Sequence, residues 1–196
     1  LVHRVCAGTL RVSPQTILTR LKPLAVALAV LSLAASPSPG PSSWGDFKTP
    51  EPVTIRGYKG HIMEAALSRD GSILFFNNRN APPEKTNIHW ATRIDDVTFA
   101  YQGLASGANS AALDATPTIA KDNRLCFISL RDYARTLSTV FCGQWSAGKL
   151  NDAALQPDAS LKIPGQVVFD IDLNASGDEL ILTDGAFNKG RALPEA

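Results

Sequence analysis

One pattern of a short strand, a polar turn and a strongly apolar strand occurs three times in this chain. The copies are residues 64–77 (EAALSRDGSILFFN), 116–129 (TPTIAKDNRLCFIS) and 170–183 (DIDLNASGDELILT). Each turn carries a dipeptide that tolerates the positive φ of a tight hairpin. These dipeptides are Asp70-Gly71, Asp122-Asn123 and Ser176-Gly177. The apolar strands carry leucines at equivalent places, at a spacing of somewhat more than fifty residues: Leu74, Leu125 and Leu180. The sequence therefore predicts a series of similar β-units.

A repeat of about 50 residues with several strands per unit is typical of propeller blades. Aromatic and β-branched residues, which favour strands, dominate further segments of the first two units. These segments are residues 88–94, 97–101 and 138–145. We therefore predict an all-β fold, a partial β-propeller of about three four-stranded blades. The alternative is a β-sandwich in which the turn dipeptides coincide by chance.

The repeats resemble those of the Tol-system (TolB-like) β-propellers, which are similar in shape to WD-repeat propellers. That repeat typically runs from proline or serine through Asp-Gly into a Leu-aromatic strand, and LSRDGSILFF matches it best. The second copy keeps the proline with a shorter turn, and the third keeps the glycine without the aromatics. The resemblance covers roughly residues 58–187 and implies an exported bacterial protein. Because such propellers usually have more blades, it also implies a truncated ring with open sheet edges, hence self-association.

A ten-residue apolar run, residues 24–33 (LAVALAVLSL), follows Arg20 and Lys22 and precedes small residues and prolines. Basic flank, short apolar centre and small residues are the parts of a secretory signal peptide. The prefix is long for a signal peptide, which favours a translation start nearer Thr19. We predict a leader with a signal helix over residues 1–35, a Pro/Ser-rich linker over 36–52 and the partial propeller over 53–196. A signal peptide would place the protein in the periplasm or outside the cell. The alternative interpretation of the apolar run is a buried core helix.

Several function classes are not favoured by the sequence. The net charge is +1, which gives no basic stripe for nucleic acid. The apolar run is shorter than the roughly 20 residues of a membrane span, so no stable span is expected once the signal is removed. The chain has no Gly-x-Ser-x-Gly elbow, no His-x-x-x-His and no Cys-x-x-Cys. We therefore predict no metal and no cofactor.

Two cysteines remain beyond the leader, which contains Cys6. Cys126 lies on the second apolar strand and Cys142 on the next predicted strand. If the chain turns near Ala134, the two residues face each other, and opposed residues in antiparallel strands approach closely enough for a disulfide. Two buried free thiols are the alternative.

The innermost strands of a propeller line its central channel. Aligned on the turns, Glu64, Thr116 and Asp170 occupy equivalent positions, and Asp170 and Asp172 point to one face. His61, Glu64 and Asp170 are therefore channel candidates for a cation, a sugar or acid–base chemistry. The alternatives are a loop histidine and carboxylates that cap turns or pair with arginines.

Loops after the apolar strands form a second candidate site, since corresponding loops gather on one rim of a propeller. The candidate rim residues are Asn78, Arg79, Arg131, Asp132, Tyr133 and Asp184. We predict a non-enzymatic binding or scaffold module that recognises a protein or a cell-envelope glycan through this rim. The alternative is a fragment of a propeller polysaccharide lyase or hydrolase that uses the channel residues.

Overall fold

The computed structural model describes residues 2–6, 49–79, 86–188 and 191–192. Within these residues, regular structure consists of β-strands and one helical turn, α1 (Tyr133–Thr136). The fold is therefore all-β. The predicted signal helix and most of the predicted linker lie outside the described residues. None of the described helical segments has the length and hydropathy of a membrane span.

The first sheet is built from the first repeat and the residues that follow it. Its strands are β2 (Thr54–Arg56), β3 (Met63–Leu67), β4 (Ile73–Asn77), β5 (Ile88–Arg93) and β6 (Thr98–Leu104). Strands β3 to β6 pair antiparallel in sequence order, and β2 adds to β6 in parallel. Short turns join β3 to β4 and β5 to β6, which is a connection that antiparallel neighbours favour.

The second sheet is an antiparallel meander in the order β10-β9-β8-β7. Its strands are β7 (Asp114–Ile119), β8 (Arg124–Ser129), β9 (Val140–Ser146) and β10 (Lys149–Leu155). Every residue of β7 is buried. The reason is its position, because β7 contacts β3 of the first sheet and β11 of the third.

The third sheet contains strands from both ends of the described chain. Its strands are β1 (Val2–Cys6), β11 (Gln166–Leu173), β12 (Glu179–Asn188) and β13 (Arg191–Ala192). The order is β1-β12-β11, and β13 pairs with the end of β12. Part of the segment predicted as a leader is thus paired antiparallel with β12 in this fold.

The strand register confirms the alignment of the repeats. In each repeat, the aligned leucine pairs with an apolar residue at the end of the preceding strand: Leu67 with Leu74, Ile119 with Leu125, and Leu173 with Leu180. The predicted turn residues also have positive φ, at Gly71 (75°), Asn123 (66°) and Gly177 (78°). Local turn chemistry therefore sets the register of all three hairpins.

Two apolar clusters involve the second sheet, and a third, which includes Phe76 and Phe99, lies within the first sheet. One of the two joins the second sheet to the first through fully buried rings such as Phe75 and Phe127, and the other joins it to the third sheet through Val140 and Leu173. Burial of one such side chain stabilises the fold by about 1.5–3 kcal/mol. The second sheet therefore packs against both of the other sheets.

A disulfide bond joins strands β8 and β9. Cys126 and Cys142 are directly opposed in the antiparallel register, with their Cα atoms 4.1 Å apart, and their sulfur atoms are bonded. The pairing follows from the hairpin geometry that the sequence suggested, because the chain reverses between the two strands through α1 and its flanking loop.

Candidate functional site

Each of the strands β3, β7 and β11 carries a break in its pairing register. The breaks fall between Met63 and Ala66, between Ala115 and Thr118, and between Val168 and Asp170. At the first two, Glu64 (φ 50°) and Thr116 (φ 51°) adopt the left-handed backbone conformation. This conformation costs a residue with a side chain about 1–2 kcal/mol. Strained residues concentrate at functional sites, so their repetition marks this region as a candidate.

The three bulged strands surround a cleft of about 590 Å³, here called the inner-strand cleft. Its lining consists of Glu64, Ala65, Ala66, Leu67, Arg69, Thr116, Pro117, Thr118, Ile119, Asp170, Ile171 and Asp172. Each of the three repeats therefore contributes one wall of the cleft. Glu64 and Thr116, the two residues in the left-handed conformation, both lie in the lining.

Threonines of the middle strand hold the two outer walls together. The backbone N–H and the hydroxyl of Thr116 donate to Oε2 of Glu64, at 3.2 and 3.0 Å. The hydroxyl of Thr118 donates to Oδ1 of Asp172 (3.2 Å) and accepts from the N–H of Leu173 (3.0 Å). The carboxylates of Glu64 and Asp172 are thus positioned by hydrogen bonds that cross between sheets.

Negative charge dominates the cleft. Three carboxylates, those of Glu64, Asp170 and Asp172, share the lining with one cation, Arg69. The guanidinium of Arg69 donates to the carbonyl of Leu173 and lies 3.9 Å from Oδ1 of Asp172. Partial burial, together with the nearby charges of Glu64 and Asp172, raises the pKa of Asp170. A cation placed here would relieve that repulsion.

The channel candidates separate in the structure. Glu64 and Asp170 both line the inner-strand cleft, whereas His61 is not part of the lining. The backbone carbonyl of His61 accepts a hydrogen bond from the hydroxyl of Tyr58 at 3.0 Å, and its side chain is exposed. Among the described residues, no group of three histidine, cysteine or acidic side chains is arranged to hold a metal ion.

Arg131, a predicted rim residue, points its side chain toward buried residues and is 24% exposed. Its guanidinium forms an ion pair of 2.6 Å with Asp114, whose side chain is fully buried. It also lies over the rings of Phe127 and Phe141, at 5.3 and 4.9 Å from their centroids. A guanidinium that is paired and stacked in this way stabilises the fold and has little left to offer a ligand.

Other rim candidates also have structural contacts. The hydroxyl of Tyr133 donates to the carbonyl of Gln166 (2.7 Å) and accepts from the N–H of Gly165 (3.1 Å), and Asp132 pairs with Arg135 at 3.4 Å. These contacts fasten the loop around α1 to the start of β11 and leave less of it for a ligand.

Asp184 does not lie in a loop as predicted. Strand β12 continues to Asn188, so Asp184 sits within it opposite Val168 and is only 5% exposed. The third apolar strand is longer than its counterparts, and the polar residues that follow residue 183 continue its pairing. The predicted loop placement is therefore wrong.

The remaining rim candidates follow β4. The side-chain oxygen of Asn78 accepts from the N–H of Asn87 at 2.8 Å, and the carbonyl of Arg79 accepts from the hydroxyl of Thr86 at 3.0 Å. The side chain of Arg79 is exposed. The rim therefore offers a ligand fewer side chains than the sequence suggested.

Thr118, Asp172 and Arg69 are polar residues of the cleft that were not proposed as site residues from the sequence. Thr118 follows Thr116, and Asp172 follows Asp170, at the two-residue spacing that places side chains on one face of a strand. This spacing was a usable signal. Arg69 belongs to the turn of the first repeat, and no local pattern indicates that it reaches the third sheet.

No known family and no curated protein matches this chain, so residues and geometry carry the functional argument.

Proposed function

We propose that this chain is a non-enzymatic binding module, exported to the periplasm or cell exterior, whose ligand site is the inner-strand cleft. The scaffold would be a partial β-propeller of about three blades. Its support is the repetition of antiparallel hairpins and the adjacency of their first strands, β3, β7 and β11. Export is supported by the signal-like segment and by the disulfide, since disulfides persist in oxidising compartments.

The ligand class proposed is a protein segment that presents a lysine or arginine side chain. Three carboxylates face one arginine across the cleft, which favours a positively charged ligand. Among the lining residues there is no aromatic ring on which a sugar could stack. A cationic side chain is therefore a better fit than a neutral glycan.

The observation that carries the proposal is the environment of Asp170. Its pKa is raised first by partial burial and then by the nearby charges of Glu64 and Asp172. Arg69, the cation among the described lining residues, is engaged with Asp172 and with the carbonyl of Leu173. A bound ammonium or guanidinium would add positive charge beside Asp170.

The test is calorimetric titration of the full chain with a library of short extended peptides that carry a central lysine. Wild-type protein should bind a subset, and acetylation of the lysine should abolish the binding. The double variant Asp170→Asn with Asp172→Asn should lose at least about tenfold in affinity. The matched control, Asp158→Asn, removes an exposed carboxylate outside the cleft lining and should bind as wild type.

Equal binding of acetylated peptides, or unchanged affinity in the double variant, would contradict the proposal. Binding that weakens as salt concentration rises is also expected, because exposed charges are screened.

A second candidate is a polysaccharide-cleaving enzyme. It is favoured by carboxylates in unequal environments, since Asp170 has a raised pKa and a general acid of this kind acts beside a second carboxylate in glycoside hydrolysis. Release of reducing ends from a panel of cell-envelope polysaccharides by wild type, but not by Asp170→Asn, would support it. No release from any of them would exclude it for that panel.

A further inference from the structure

A second cleft lies between the first and second sheets. Its volume is about 490 Å³, which falls within the range of small-molecule sites. It is here called the tryptophan cleft, and its lining consists of Ile73, Trp90, Asn123, Trp145, Ser146 and the Ala147-Gly148 turn. It shares no lining residue with the inner-strand cleft, so the two are separate places on the molecule.

The aromatic wall of the tryptophan cleft is fixed by contacts between the two sheets. The rings of Trp90 and Trp145 meet edge to face with their centroids 5.2 Å apart, and Phe75 packs edge-on against Trp145 at 4.8 Å. The turn between β9 and β10 lies against Trp90, since a Cβ on Gly148 would come within 2.9 Å of that ring. Trp145 is 3% exposed, whereas Trp90 is only partly buried. The fold therefore holds both indoles in place and leaves part of Trp90 accessible at the cleft.

Polar groups with unused hydrogen-bonding capacity accompany these rings. Neither indole N–H donates to another described residue, although a buried tryptophan usually finds an acceptor. The side-chain amide of Asn123 likewise makes no hydrogen bond to a described residue. The hydroxyl of Ser146 accepts from Nδ2 of Asn151 at 3.0 Å and keeps its own hydrogen to donate. The lining thus offers a ligand several donors and an amide oxygen.

Asn123 marks a difference between the second repeat and the other two. The equivalent turn residues are Gly71 and Gly177, and all three have positive φ. Glycine adopts this conformation at the lowest cost, so the backbone alone does not require a side chain at this place. A side chain at Gly177 would be crowded, because its Cβ would lie 3.1 Å from that of Ala120. The second repeat instead carries an amide here, and that amide belongs to a residue lining the tryptophan cleft.

The two clefts differ in the chemistry that they present. No described lining residue of the tryptophan cleft carries a charge, whereas the inner-strand cleft has three carboxylates and a guanidinium but no aromatic ring. Indole rings favour a ligand with a flat apolar face, and unpaired amide, hydroxyl and indole groups favour a ligand rich in oxygen. A pyranose sugar combines a face of C–H groups with hydroxyls around its edge, so it satisfies both requirements without a charge.

We propose that the tryptophan cleft binds a neutral sugar residue of an uncharged glycan. The C–H face of the sugar packs on Trp90, and its hydroxyls bind the amide of Asn123 and the hydroxyl of Ser146. This function is additional to the binding of cationic peptides, and it depends neither on that binding nor on export.

The test titrates the full chain with short neutral oligosaccharides of glucose, galactose, mannose and N-acetylglucosamine, followed by calorimetry and tryptophan fluorescence. The chain has three tryptophans, so a Trp44→Phe background leaves Trp90 and Trp145 as the emitting residues. At least one oligosaccharide should bind and shift the emission to shorter wavelength, because a packed sugar displaces water from the ring. Raising the salt concentration should leave this affinity unchanged, in contrast to the affinity for cationic peptides.

Two substitutions assign the binding to the cleft. Trp90→Ala should lower the affinity at least about tenfold. Asn123→Gly introduces the residue of the other two repeats, which keeps the turn conformation, and should lower the affinity about threefold or more through loss of the amide. Asn123→Gly thus keeps the test valid if Trp90→Ala fails to fold. The matched control, Phe187→Ala, removes an exposed ring outside the lining and should bind as wild type.

Failure of every oligosaccharide to bind, or equal affinity in wild type, Trp90→Ala and Asn123→Gly, would overturn the proposal. Binding of a proline-rich peptide at Trp90 in place of any sugar would also overturn it, since aromatic grooves take such segments as well. Lysine-peptide binding measured on the same variants should equal that of wild type, because neither Trp90 nor Asn123 lines the inner-strand cleft. A failure at one cleft is therefore distinguishable from a failure at the other.

Discussion

Two groups of charged residues in this molecule differ in how completely the fold compensates them. Asp114 is fully buried, and its two carboxylate oxygens are held by Arg131 at 2.6 Å and by the N–H and hydroxyl of Ser110 at 2.5 and 2.8 Å. Asp172, in the inner-strand cleft, is 74% exposed in its side chain, and its Oδ1 lies 3.9 Å from the guanidinium of Arg69. The first group is fully paired inside the fold, whereas the second leaves negative charge accessible to solvent.

The physical reason for the difference is the cost of desolvation. A charge taken out of water is tolerated only where a partner and hydrogen bonds replace the lost hydration. Both carboxylate oxygens of Asp114 have such partners. The cleft carboxylates keep part of their hydration and so do not need full pairing.

The largest expected effect comes from breaking the buried pair. Asp114→Ala leaves the partly buried guanidinium of Arg131 without its counter-charge, and breaking a pair whose acidic member is fully buried costs about 3–5 kcal/mol of unfolding free energy. The comparison variant Asp172→Ala removes one hydrogen bond from Thr118 and should cost only about 1 kcal/mol. Urea denaturation measures both. Should Asp114→Ala fail to fold, Asp114→Asn, which keeps its hydrogen-bonding capacity, gives a measurable intermediate loss. Similar values for Asp114→Ala and Asp172→Ala would remove the distinction.

A smaller effect is expected from the disulfide in the same sheet. Replacing Cys126 and Cys142 together by alanine opens a cross-link between residues 16 apart in sequence. A loop of about 15 residues corresponds to about 3 kcal/mol. Denaturation with and without reductant should show this loss in wild type and none in the double variant. Lysine-peptide binding should persist under native conditions, because neither cysteine lines the cleft; loss of binding would mean that the two regions are coupled.

The smallest effect has the opposite sign. The pKa of Asp170 is raised in the folded chain, so its ionised form is disfavoured by folding. Asp170→Asn should therefore increase stability at pH 7 by a few tenths of a kcal/mol, after allowance for solvent screening, while weakening the binding of cationic peptides.

The pH dependence of that gain follows from linkage. A raised carboxyl pKa favours the fold below the unfolded pKa, near 3.8, and this advantage is lost as the pH rises through the folded pKa. Thermal melts of wild type and Asp170→Asn should accordingly converge at acid pH and separate at neutral pH. A constant difference at all pH values would contradict the assignment.

The hairpins could be predicted because their signals are local. Dipeptides such as Asp70-Gly71 fix a turn, and the apolar strand that follows sets the register. The opposition of Cys126 and Cys142 followed from the same reasoning, since one reversal of the chain brings the two residues together.

Contacts between distant parts of the chain were not predictable in this way. Arg131 was expected on a rim, but it folds back on Asp114, 17 residues earlier, and on rings of two strands. Arg69 reaches Leu173 across 104 positions of sequence. The pairing of β1 with β12 is longer in range still. Each depends on how sheets pack, and periodicity within a strand carries no information about that.

The bulges of β3, β7 and β11 have an evolutionary consequence. At each bulge one strand carries one residue more than its partner. Glu64 and Thr116 lie within the first two breaks, and Asp170 comes directly after the third, where it pairs with Thr183. Side chains at these places can change while the neighbouring hairpins keep their register. The positions beside the three bulges therefore form a small set at which substitutions are tolerated. Substitution there could change which ligand is bound while the hairpins keep their register.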